Sequence, residues 1–135
     1  MSINSDDPYR NFAVLVVDDD SVHRLIVRRT LQRELSLTVH EANDGRTALQ
    51  MLKNLIPDLV LLDLSMKDID GDAVLNRLRY DQATRDIPVI MCTAENQPEM
   101  IKRLMAMHID GYIVKPYTTE LLVDKVKAVF DRHLK

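Results

Sequence analysis

Five short apolar runs, each followed by a longer segment with one polar face, set the strongest limit on what this chain can fold into. The runs occupy 13–17, 38–42, 58–62, 89–93 and 112–114, and the longer segments 21–35, 46–55, 72–80, 97–108 and 118–132. Brief runs rich in Val, Ile and Leu read as strands; segments with apolar positions three and four apart read as helices. Strict alternation of the two gives crossover connections of helix length, which join parallel strands. Three runs, "VLVV", "LVLL" and "VIMC", are apolar without interruption, the pattern of strands covered by helices on both faces. The expected architecture is therefore α/β: a (βα)5 doubly wound parallel five-stranded sheet. The punctuation agrees, with "NDG" at 43–45, "DIDG" at 68–71 and Pro98 each at the start of a predicted helix.

A chain of 135 residues has the length of one ordinary domain. Residues 12–133 are expected to form it and residues 1–11 a short polar tail. With 46% apolar and 29% charged residues, the chain can close a core rather than remain disordered. A net charge of −3 lacks the basic footprint of a nucleic-acid binder. The single cysteine, Cys92, excludes an internal disulfide, and no Cys/His spacing suits zinc. The N-terminus has neither the basic nor the apolar region of a signal peptide, and no apolar run approaches a membrane span. The expected home is the cytoplasm.

In an open parallel sheet, ligands bind beyond the carboxyl ends of the strands. Those ends carry Asp18 and Asp19, Asp63, Thr93 and Lys115. Two like charges about 4 Å apart cost on the order of 4 kcal/mol at an effective dielectric near 20, so three carboxylates at one rim need compensation. Lys115 supplies one positive charge, and a hard divalent cation such as Mg2+, which takes carboxylate oxygens and bridges to phosphoryl groups, supplies the rest. A carboxylate can attack phosphorus to form an aspartyl phosphate, aided by neutralisation of the equatorial oxygens. Asp63 is the candidate nucleophile, with Lys115 and the Thr93 hydroxyl as its helpers.

These residues lie within "VVDD" at 16–19, "PDLVLLDLSM" at 57–66, "DG" at 70–71, "IPVIMCTA" at 87–94 and "GYIVKPYT" at 111–118. In that order the chain resembles a response regulator receiver domain of two-component signalling, of the chemotaxis-regulator-like single-domain kind. The resemblance implies a flavodoxin-like strand order of 2-1-3-4-5 and Asp63 as phosphoacceptor. It implies Mg2+ held by Asp19, Asp63 and the Ser65 backbone carbonyl, with Asp18 acting through water. It implies Lys115 at the phosphoryl group, a Lys115-Pro116 cis bond, and a switch in which Thr93 moves toward phosphorylated Asp63 and Tyr112 follows. The implied partners are a histidine kinase or histidine phosphotransfer protein and a downstream protein read through the fourth helix, fifth strand and fifth helix, with the chain a monomer or weak dimer. Ser65 and Glu95 stand where the family varies the lifetime of the phosphoryl group, and acidic Glu95 is expected to orient or repel the attacking water. Start and end favour a stand-alone regulator; a receiver segment of a larger regulator or hybrid kinase is the alternative. Catalysis is expected only on the chain's own phosphorylation and dephosphorylation.

Two departures stand out. Lys67 occupies a position where the family usually has Pro, which removes a fixed φ and adds a charge. His108 and Ile109 replace small residues before "GY", which is expected to change packing beneath the fourth helix. Elsewhere, Asp20 reads as a helix cap rather than a metal ligand, and Cys92 as a small apolar filler. His23, four residues after Asp19, reads as a surface histidine, with a place overlooking the mouth of the site as the alternative. Arg24, Arg28, Arg29 and Arg33 read equally as a solvated face or a phosphodonor dock. Met100, Ile101, Leu104, Met105 and Met107 are expected to be mostly core, with one or two exposed. A haloacid-dehalogenase-type phosphatase would need an acid two residues after Asp63, where Ser65 stands. A flavodoxin would need a phosphate loop where this chain has acids.

Overall fold

The computed structural model describes residues 7–94 and 96–133. Five strands, β1 (Ala13–Val17), β2 (Thr38–Ala42), β3 (Leu59–Asp63), β4 (Val89–Thr93) and β5 (Gly111–Val114), alternate with five helices. The helices are α1 (Ser21–Leu35), α2 (Gly45–Met51), α3 (Gly71–Tyr80), α4 (Pro98–Ala106) and α5 (Thr119–His133). All neighbouring strands pair in parallel in the order β2-β1-β3-β4-β5, the expected doubly wound sheet. The chain steps to β2, reverses past β1 and proceeds outward, so the order switches between β1 and β3.

The uninterrupted apolar runs sort by the pleat into two cores. Leu15, Val17, Val60, Leu62, Val89 and Met91 pack with Ala48 of α2, Val74, Leu75 and Leu78 of α3, and Leu104 of α4. Val14, Val16, Leu59, Leu61, Ile90, Cys92 and Ile113 pack with Val27, Leu31 and Leu35 of α1 and Leu122, Val126, Val129 and Phe130 of α5. Every residue of β3 and β4 is buried, whereas the edge strand β2 buries only Ala42.

Element limits differ from expectation where side chains or turn geometry intervene. Strand β3 begins at Leu59 because Asp58 serves as a clasp: its carboxylate accepts the Ala13 N–H at 2.7 Å and its own N–H donates to the Ala13 carbonyl at 2.8 Å. Helix α2 stops at Met51, where bonds to the third residue back, Lys53 to Gln50 and Asn54 to Met51, tighten and end it. Thr118 lies just before α5 and caps it, its hydroxyl accepting the Leu121 N–H at 3.1 Å. Helix α4 ends before His108, which takes a left-handed φ of 63°, a conformation that favours Gly. Arg79 holds that corner, donating to the carbonyls of His108 at 2.9 Å and Ile87 at 2.8 Å. Ile109 is absorbed into the core on the α3/α4 side. Tyr9 departs from the polar reading of the N-terminus: it is buried, packs against Phe12 and Phe130, and its hydroxyl donates to Asp131 at 2.5 Å. No described helix is long and apolar enough to cross a membrane.

Candidate functional site

The four strand ends that carry the candidate residues lie side by side. Asp63 is the last residue of β3, Thr93 the last of β4, and Asp18 and Lys115 directly follow β1 and β5. Backbone bonds carry the sheet one step further, from Asp18 N–H to the Ala42 carbonyl at 3.1 Å and from Lys115 N–H to the Thr93 carbonyl at 2.8 Å. The Lys115-Pro116 bond is cis, as the resemblance implied. Gly71 opens α3 against the back of the site. Its N–H donates to the Leu64 carbonyl at 2.6 Å, and a Cβ there would collide with the Asp63 backbone carbonyl. Only Gly permits that approach.

One oxygen from each of Asp18, Asp19 and Asp63 lies within 4.8 Å of the others. Lys115 Nζ stands 3.2 Å from Asp63 Oδ2 and 3.6 Å from Asp18 Oδ2. Asp63, Ser65, Thr93, Ala94 and Lys115 line an open cleft of about 380 Å³. Burial raises the Asp63 pKa and the Asp18 charge adds to the rise, together outweighing the pull of Lys115. Asp18 goes the other way. Burial raises it too, but hydrogen bonds from His23 and the Asp20 amide and the charge of Lys115 hold it below the ordinary carboxylate value. Burial alone lowers the Lys115 pKa, yet the two carboxylates outweigh it and raise the pKa above the usual lysine value. The site thus gathers three carboxyl groups, one of them crowded, around the Lys115 ammonium.

The structure gathers Asp18, Asp19, Asp63, Ser65, Thr93 and Lys115 at one rim. Tyr112 lies on β5 opposite Met91, partly buried against the α3/α4-side core rather than lining the cleft. Glu95 lies outside the described residues. Asp20 caps α1, accepting the N–H groups of Val22 and His23, and Cys92 is buried, its thiol pushed up to about 12 by desolvation. Met105 is the exposed methionine of α4, with Leu104 fully buried. The basic face of α1 is partly tied down: Arg24 and Arg28 pair with Glu41 of β2 at 3.0 and 2.9 Å, and Arg24 Nη1 donates to the Asp18 carbonyl at 2.6 Å.

Contacts of three residues went beyond the sequence reading. His23 is half-buried and takes the site-facing alternative rather than the surface one, as a partner of both the Asp18 carboxylate and the Tyr117 hydroxyl. Its place in the first turn of α1, five residues after Asp18, was the available signal. The Lys67 N–H, which a Pro could not offer, donates to Asp19 Oδ2 at 3.0 Å. Asp68, one residue on, accepts the N–H groups of Gly45 and Arg46 at 3.1 and 2.9 Å and so fastens the loop after β3 to the start of α2.

This arrangement has known counterparts. The family model described as response regulator receiver domain matches residues 14–127. The chemotaxis protein CheY-3 of Vibrio cholerae is 40% identical over 124 residues, covering 91% of this chain and 95% of the relative. Chemotaxis protein CheY of Pseudomonas aeruginosa is 37% identical over 120 residues, 88% of this chain and 96% of that protein. The solved structure of chemotaxis response regulator CheY4 of Vibrio cholerae matches with a TM-score of 0.82 at 30% identity, covering 88% of this chain and 98% of that one. A match across most of its length, on this sheet order and with this acidic rim, makes the chain a member of the response regulator receiver domain family, of the chemotaxis-regulator type.

Proposed function

We propose that the chain accepts a phosphoryl group on Asp63 from the phosphohistidine of a histidine kinase or phosphotransfer protein and passes the change on as altered protein binding. The observation that carries this reading is the position of Lys115 Nζ, 3.2 Å from Asp63 Oδ2 within the three-carboxylate rim. An Asp63 oxygen attacks phosphorus in line, the bond from phosphorus to the donor imidazole breaks, and its electron pair leaves with the nitrogen. Lys115 meets a phosphoryl oxygen as charge shifts onto it, and the Thr93 hydroxyl at the cleft wall can meet another.

The donor set fits a hard cation: all carboxylate oxygen, close enough for one ion, with burial on two of the three acids. Asp19 and Asp63, with the Ser65 carbonyl by family analogy, would hold Mg2+ directly, and Asp18 would act through water. When bound, the ion offsets the crowded charge and stabilises phosphoryl oxygens. The output reading follows the family: Thr93 and Tyr112 shift together and remodel α4, β5 and α5, where Met105 and Val114 present apolar surface. Near-complete coverage of the single-domain relatives supports a stand-alone regulator. Incubation with Mg2+ and acetyl phosphate, followed by intact-mass measurement, tests the reading. One added phosphoryl group that chelator abolishes supports it; turnover of the donor without a covalent adduct, as a phosphatase would give, overturns it.

A further inference from the structure

We infer that His23, keyed by the Tyr117 hydroxyl, is a positioning residue that fixes the Asp18 carboxylate for the cation and ties the cation site to the corner between β5 and α5. The inference rests on the cation reading above and assigns to it two residues to which the resemblance gave no role.

The Asp18 side chain is 3% exposed and both of its oxygens are engaged. Oδ1 accepts the Asp20 N–H at 2.9 Å, and Oδ2 is bonded by His23 Nδ1 beside Lys115 Nζ. His23 Nε2 lies 2.5 Å from the Tyr117 hydroxyl, and the two rings meet edge to face at 5.6 Å. Proton positions follow from the inventory of donors. An ionised Asp18 only accepts, so Nδ1 carries the ring proton. In the neutral ring Nε2 then keeps its lone pair, and the Tyr117 O–H, kept protonated by burial, fills it. The result is one directed chain, Tyr117 O–H to His23, His23 N–H to Asp18.

Its effect is on rotation. A carboxylate held at one oxygen can still turn about its Cβ–Cγ bond; one held at both cannot. The Asp20 amide holds one oxygen from the cap of α1, and the His23 ring holds the other from its first turn. Tyr117 sits two residues beyond Lys115 and packs against the α1/α5-side core. The same corner of chain therefore supplies the ammonium and the key that orients its acidic neighbour. Donors behind metal-binding carboxylates and imidazoles typically matter ten- to a hundredfold for affinity, and any coupling so made is reciprocal.

Calorimetric titration of the full chain with Mg2+ tests this with three variants. Asn places an amide N–H near the former Nδ1, and Gln places one near Nε2. His23→Asn should keep affinity within about threefold of wild type, whereas His23→Gln should weaken it about tenfold. Tyr117→Phe, which retains the ring and every cleft residue, should weaken it about threefold, as one lost hydrogen bond does. Equal losses in His23→Asn and His23→Gln, or wild-type affinity in His23→Gln, overturn the inference. Should His23→Gln fail to fold, unchanged affinity in Tyr117→Phe overturns it alone. Wild-type protein that takes up no Mg2+ overturns the cation reading as well, whereas normal uptake with indifferent variants sinks only the role of His23.

Discussion

Replacing Asp63 with Asn should stabilise the cation-free protein. At an effective dielectric near 20, a charge up to 4.8 Å from Asp18 and from Asp19 is repelled by about 3.5 kcal/mol from each. Lys115 at 3.2 Å returns about 5 kcal/mol. Roughly 2 kcal/mol of repulsion remains, and desolvation of Asp63 acts in the same direction. The raised pKa carries the same sign. An Asp whose folded pKa exceeds its unfolded value costs stability once ionised, and that cost disappears as pH falls through the folded pKa. Urea denaturation in chelator at neutral pH, followed by circular dichroism, should therefore show Asp63→Asn more stable by about 2 kcal/mol, or several degrees in Tm. The gap should close as pH is lowered through the Asp63 transition. It should also narrow in millimolar Mg2+, which stabilises the wild type by binding the folded state. A variant no more stable than wild type in chelator refutes the charge-crowding argument.

Lys115→Met leaves Asp18 and Asp63 without their shared cation and should cost about 2–3 kcal/mol in chelator. Because the Lys115 pKa is raised, the wild-type advantage should persist through neutral pH and fade only as pH rises through the lysine's folded pKa; a variant as stable as wild type would show the pair idle. Gly71→Ala drives a methyl into the Asp63 carbonyl and should cost about 3 kcal/mol by the same denaturation assay, wild-type stability counting against the close approach. His108→Gly should gain about 1 kcal/mol by relieving a left-handed backbone, with loss of stability as the contrary result. Cys92, buried with its thiol pushed up to about 12, should ignore Ellman's reagent in the folded protein and react only on unfolding; prompt labelling of native protein would contradict its burial.

The fold was legible because the signal was redundant. Uninterrupted apolar strands such as "LVLL", helices of the right length between them and acids at the strand ends all demanded one sheet with one functional rim. Asp18, Asp63, Thr93 and Lys115 were readable for the same reason, since parallel topology brings strand ends together whatever the helices do. What escaped depended on rotamers and on single N–H groups. His23 could face solvent or Asp18 from the same helix turn, and only the position of Tyr117 decides between them. Lys67 was visible as a missing Pro, but the consequence lies in its amide donating to Asp19 rather than in its charge. Asp58 and Thr118 were placed inside elements because periodicity does not distinguish a terminal cap from the residue beside it. The left-handed His108 was hidden too, because nothing in its side chain announces a backbone that Gly would adopt more easily.

The most direct test of the central claim is where phosphorus lands. Protein treated with acetyl phosphate and Mg2+ is reduced with borohydride, which converts an aspartyl phosphate to homoserine, and its peptides are sequenced by fragmentation. Homoserine at position 63, absent from chelator-treated protein and from Asp63→Asn, is the predicted outcome. Modification of Asp18 or Asp19 instead, or undiminished labelling of Asp63→Asn, contradicts it.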